Sequence, residues 1–233
     1  MAKKVAQMIE EQVQSWIYKN ISEHKSTPAP KIYPIITVSR EFGAKGAALA
    51  ALIGEKLDFK VWDKDLLLTI GKWLGSDPKL FETLDESRRK SIEDAIFGFM
   101  NHPGTNLSYM RSLTRAVRTI EKFGNSIIVG RGANYICQSP SSFHIRVVSA
   151  LNKRILNYAE SEKITKEQAA VIIKQKDAER ADFIKYNFNK EVSDSRGYDL
   201  VVNSGAFNLE ELADIVIYAY EKKIKQSVAA IRK

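Results

Sequence analysis

From Lys31 onward the pattern of apolar and polar positions switches repeatedly between two periods. Short, mostly apolar runs at 35–39, 59–62, 126–130, 143–148 and 200–203 predict five strands. Runs this continuous suit strands covered on both faces of a parallel sheet. After the first run, Leu49, Leu52, Ile53 and Leu57 follow helix spacing. Between the second and third runs lies a long helical region, 63–124, rich in Arg and Lys, whose middle at 98–106 reads as a loop tip. Thr165-x-x-Gln168 and Asn208-x-x-Glu211 are capping boxes opening two further helices. Ahead of all this, Val5, Met8, Ile9, Val13, Trp16, Ile17 and Ile21 place an apolar stripe on one helix. That helix reads as docking on the body or on a second copy of the chain, and 24–30 as a linker. The pattern predicts an α/β domain over 31–233 with an N-terminal helix and linker over 1–30.

At 233 residues the chain suits one such domain with an insertion. No apolar run approaches membrane-spanning length, and Met1-Ala2-Lys3-Lys4 leads into an amphipathic pattern rather than a secretory core. One cysteine, Cys137, excludes an internal disulfide framework and fits a reducing cytoplasm. It lies in an apolar segment and reads as packed rather than reactive. The net charge of +8 fits either a polyanion partner or small phosphorylated substrates. Without a basic stripe interleaved with aromatics, nucleic acid is the lesser of the two. His24, His102 and His144 show no metal-ligand spacing, so no resident metal site is expected.

Candidate chemistry begins where the first strand runs into Ser39-Arg40-Glu41-Phe42-Gly43-Ala44-Lys45-Gly46-Ala47. A strand, a glycine loop and a helix in succession let backbone N–H groups and a helix N-terminus cradle phosphate. With Lys45 set on the lysine of G-x-x-x-x-G-K-[ST], Ser39 and Ala44 fall on the two glycines. Gly46 and Ala47 then fall where a magnesium hydroxyl would sit. The lysine is retained and the hydroxyl is missing. Loop residues Ser39, Arg40, Gly43, Ala44, Lys45, Gly46 and Ala47 form the candidate nucleotide-phosphate site; the alternative is a plain turn with Lys45 solvated.

Gly130-Arg131-Gly132 closes the third strand, at the sheet edge where open α/β folds bind ligands. Two glycines let the backbone approach closely and project Arg131 into the crevice. Arg88, Arg89, Arg111, Arg115 and Arg118 can meet a monophosphate through the planar guanidinium fork. Alternatively, the last three form a solvated basic face. Lys176, Asp177 and Arg180 share one helix, as a surface ion pair or as charge turned toward a site.

The Ser39–Gly43 loop entry resembles the cytidylate kinase-like family of the nucleoside monophosphate kinase group. So do Trp62-Asp63-Lys64-Asp65-Leu66-Leu67, Ile128-Val129-Gly130-Arg131-Gly132-Ala133-Asn134, Lys176-Asp177-x-x-Arg180 and Tyr198-Asp199-Leu200-Val201-Val202-Asn203. The resemblance covers about 33–222. It implies a three-layer P-loop NTPase-type fold with a parallel five-stranded sheet, a helical insertion at 63–124 over the acceptor nucleotide, and a small lid at 174–198. It further implies ATP and Mg2+, a nucleoside monophosphate acceptor, most simply CMP or dCMP, and a cytoplasmic enzyme. Lys45, Arg131, Arg180 and Asp177 would be catalytic. Asp63, Arg111, Arg115, Gly130, Arg131 and Gly132 would bind the acceptor, although Asp63 would look identical as a helix N-cap. In classical bacterial cytidylate kinases an aspartate follows the arginine at 131; Gly132 stands there in this chain, which opens the acceptor base. Two other functions remain: a nucleotide sensor without turnover, and a basic nucleic-acid or scaffold protein dimerising through its N-terminal helix.

Overall fold

The structure, a computed structural model, describes residues 2–23, 32–76 and 107–231. Arg88, Arg89 and the 98–106 loop tip lie outside the described residues, as does the 24–30 linker.

Five parallel strands, β1 (Ile36–Arg40), β2 (Lys60–Trp62), β3 (Ser126–Val129), β4 (Phe143–Val148) and β5 (Leu200–Asn203), are ordered β2-β3-β1-β4-β5. The described helices are α1 (Ala2–Glu23), α2 (Gly46–Leu57), α3 (Lys64–Ser76), α4 (Leu107–Phe123), α5 (Ala133–Ile136), α6 (Leu151–Glu162), α7 (Lys166–Phe188) and α8 (Leu209–Ile231). The strand and helix pattern predicts this α/β arrangement, and helices on both faces of the sheet give the three layers that the resemblance implies.

Strand alternation sorts the core into two layers. Ile36, Val38, Ile127, Val129, Ile145 and Val147 pack with Leu49 and Ile53 of α2 and Leu212 and Val216 of α8. On the other face, Trp62 and Ile128 pack with Leu67 and Ile70 of α3, Met110 and Leu113 of α4, and Ile184 and Phe188 of α7. Helix α1 joins this second layer. Val13 and Ile17 are buried there, and the Trp16 ring stands edge-on to Trp62 at 4.9 Å and to Phe123 at 5.5 Å. Its apolar stripe is used within the chain, so α1 docks on the body of its own copy.

The second face changes character at β1 and β4. Thr37 and Ser39 sit in register with His144 and Arg146. Thr37 Oγ1 lies 2.8 Å from His144 Nδ1, and Arg146 Nη1 donates to Ser39 Oγ at 3.2 Å. Four polar side chains therefore mark this sheet face, with Ser39 and Arg146 the pair nearer the carboxyl ends of β1 and β4. Chain order reverses at β1, which has β3 on one side and β4 on the other. A crevice opens at such a switch point.

Candidate active site

The glycine loop is held from outside rather than by its own residues. Glu41 N–H donates to the Val147 carbonyl at 3.0 Å, and Phe42 N–H donates to Asp177 Oδ1 at 2.7 Å. The other Asp177 oxygen accepts from Arg154 Nη1, which also donates to the Phe42 carbonyl at 3.0 Å. Arg154 Nε donates to the Ser149 carbonyl at 2.9 Å, and Glu41 accepts the Ser149 N–H at 3.0 Å. Both oxygens of Asp177 are thus engaged by the protein. Asp177 holds the loop amide and positions Arg154.

Among the described residues, the N–H groups of Gly43, Lys45, Gly46 and Ala47 have no protein acceptor. They open on a cavity of about 350 Å³ lined by Arg40, Gly43, Lys45, Gly46, Ala47 and Arg180, with Tyr158 beyond them. Unpaired N–H groups at a helix start are suited to phosphate oxygens. Two expectations for the loop change here. Ala44 is 1 % exposed and packs in the α2–α8 core rather than facing the cavity. Ser39 turns to the opposite side, where its Oγ meets Arg146 and lies 3.3 Å from the Tyr198 hydroxyl.

On that side a second cavity of about 310 Å³ is lined by Ser39, Arg40, Lys64, Arg131, Asn134 and Arg180, among others. Three consecutive positive φ angles, at Gly130, Arg131 and Gly132, form its floor. The glycines also answer to sterics: a Cβ at Gly132 would collide with the Phe188 ring and one at Gly130 with Arg40 Nη1. The Arg131 guanidinium lies over the Phe183 ring, 5.4 Å from its centroid. Arg180 lies over Phe42 at 5.1 Å and donates to the Arg40 carbonyl at 3.0 Å. Burial, with the charges of Arg180 and Arg131, pulls the Arg40 guanidinium down from 12.5 to about 10. Arg180 is lowered as well, chiefly by burial. Three cations converge on the two cavities, a strong attraction for an anion of high charge density.

The remaining acceptor-side residues do not join them. Asp63 Oδ1 accepts the N–H groups of Asp65 and Leu66, both at 3.0 Å, so Asp63 caps α3. Its neighbour Lys64 is the one that lines the second cavity. Arg111 and Arg115 on α4 line neither cavity. Arg118 is 2 % exposed and pairs with Glu121, whose Oε1 also accepts from Gln138 N–H, Ser139 N–H and Ser142 Oγ. It is neither a phosphate ligand nor part of a solvated face. Burial pushes the nearby Cys137 thiol up, as suits a packed side chain.

A family model described as the cytidylate kinase-like family matches residues 35–206, which span the loop, both cavities and all five strands. The chain belongs to the cytidylate kinase-like family. A solved structure of an uncharacterized protein from Eubacterium ventriosum ATCC 27560 has the same fold at TM-score 0.66. Its identity is 20 %, over 81 % of this chain and 98 % of that one. A curated relative from Corynebacterium glutamicum, described as uronate isomerase, is 24 % identical over 188 residues, 80 % of this cytidylate kinase-like chain. The chain spans only 36 % of that relative's length, so the isomerase name describes a protein mostly outside the match. Among the described residues no helix is long and apolar enough to cross a membrane.

Proposed function

We propose that this protein moves the terminal phosphoryl group of ATP to a nucleoside monophosphate, with CMP or dCMP as the preferred acceptor. One observation carries the reading: Arg40 and Arg180 line both the loop cavity and the sheet-edge cavity. A donor held by the loop amides and Lys45, and an acceptor phosphate held by Arg131, would meet at these two guanidinium groups. The reaction joins an acceptor phosphate oxygen to the terminal phosphorus. The bond to the bridging oxygen breaks, and its electron pair leaves on ADP. Alignment and charge are what such a transfer asks of a protein. Among the described residues no three His, Cys, Asp or Glu side chains gather to hold a metal, and Ala47 offers no hydroxyl. Magnesium on this reading arrives with ATP as part of the substrate. The family membership supports a cytosine base, whereas Gly132 leaves the base contact to other residues.

ADP release from ATP–magnesium, measured against CMP, dCMP, UMP, AMP and GMP, tests the proposal. The expected outcome is turnover on one acceptor, reduced about 10³-fold in Arg180→Ala with folding intact. Ala47 favours a second reading, a nucleotide sensor on the same fold. ATP binding without turnover on any acceptor would put that reading first.

A further inference from the structure

The loop departs from its motif at the charged position, and the neighbouring geometry shows what stands in that space. Glycines in a phosphate loop serve where φ must be positive. Here positive φ falls at Gly43 (79°) and Lys45 (57°). Lys45 therefore occupies a glycine-type position, as the N-cap of α2, with its side chain exposed. The next residue, the first of α2, is Gly46, which has no side chain to reach a phosphate. A Cβ at Gly46 would lie 2.5 Å from Arg40 Cβ and 3.0 Å from Arg40 Cγ. The stem of Arg40 fills the room that a side chain at 46 would enter. Its guanidinium then runs to Gly130, whose positive φ favours glycine and whose missing Cβ leaves the space that Arg40 Nη1 occupies. Two glycines from separate parts of the chain are cleared for one arginine.

That arginine lacks the partners a structural arginine has. Arg146 has Ser39 and Glu41, and Arg154 has Asp177, Glu41 and two carbonyls. Among the described residues the Arg40 guanidinium has no hydrogen-bond acceptor, and the charges acting on it are those of Arg180 and Arg131, both repulsive. A half-buried cation beside two others is unfavourable until an anion arrives.

We propose that Arg40, at the entry of the loop, replaces the lysine of the phosphate loop and contacts the phosphoryl group in transit, while Lys45 acts at the rim of the donor cavity. This deepens the phosphoryl-transfer reading and rests on it. The transferring group spreads charge over its equatorial oxygens, and a planar fork of N–H donors holds two of them at once, which a single ammonium does not. Placed at the boundary of the two cavities, Arg40 can keep that contact as the group passes from donor to acceptor.

The test compares Arg40→Met, Arg40→Lys and Lys45→Ala by calorimetric titration with inorganic tripolyphosphate and by thermal midpoint with and without it. Arg40→Met is expected to raise the ligand-free midpoint, since an uncompensated buried charge is gone. It should weaken tripolyphosphate at least tenfold more than Lys45→Ala does. Arg40→Lys should bind between Arg40→Met and the unaltered protein. A merely structural arginine gives the opposite sign: the midpoint falls and affinity persists. That result overturns the proposal, as does a loss in Lys45→Ala equal to or greater than that in Arg40→Met. Absence of tripolyphosphate binding by the unaltered protein overturns it too. If Arg40→Met does not fold, Arg40→Lys with unaltered affinity is the overturning result. Failure of turnover on every acceptor, with these affinities as expected, removes the kinase reading and leaves Arg40 as the loop's phosphate contact.

Discussion

His144 shows how a single side chain on the sheet makes the protein sensitive to acid. Burial lowers its ring from 6.5 to about 4, with Asp199 opposing and Lys223 adding to the shift. Between those values an unfolded chain takes up a proton that the folded one refuses. Stability is therefore complete above pH 6.5 and declines as pH falls toward 4, by up to about 3 kcal/mol from this group. In His144→Gln the fall in denaturation midpoint from pH 7 to pH 4.5 should be clearly smaller than in the unaltered protein. An equal fall would place the titration elsewhere. At this scale the sequence was only half legible. Arg131 is announced by its flanking glycines, and Arg180 by its place on a capped helix. Arg154 gave no such sign, because a buried arginine is recognisable only by its partners. For Arg146 a signal did exist: a lone charge between Ile145 and Val147, in a strand otherwise fit for burial.

Among elements, all five strands lie within a residue or so of the predicted runs; β1, β3 and β4 are largely buried and rich in β-branched residues, whereas the edge strands β2 and β5 are only partly covered. Helix α7 was less transparent. Its predicted lid boundary at 174 falls inside one unbroken helix from Lys166 to Phe188. The periodicity is blurred because α7 serves three surroundings in turn: Ala169 and Ile173 are buried beside α6, Asp177 and Arg180 face the loop, and Ile184 and Phe188 enter the core. Asp177→Ala removes the Phe42 N–H acceptor and the shorter of the two carboxylate contacts of Arg154, which keeps Glu41 and two carbonyls. A loss of about 2–3 kcal/mol in denaturant unfolding is expected. Asp177→Asn, which keeps the acceptor, should lose about half as much. Equal losses would mean that charge alone holds the loop.

For the whole molecule, the N-terminal helix is part of the second core layer. Sequence could not separate this from docking on a second copy, because an amphipathic stripe looks the same whichever apolar surface it meets. The Trp16 contacts with Trp62 and Phe123 decide it. Trp16→Ala should destabilise the fold by on the order of 3 kcal/mol while tripolyphosphate affinity holds. A lost affinity with normal stability would tie α1 to the site instead.

Helix α7 carries the clamp on the loop amide at Asp177 and, one turn later, the guanidinium between the cavities at Arg180. A rod of hydrogen-bonded backbone cannot tilt at one of these residues and stay still at the other. With donor and acceptor seated as proposed, a ligand that shifts α7 at Arg180 is expected to shift the clamp at Asp177 as well, and occupancy of one compartment to change affinity in the other by the same factor in each direction.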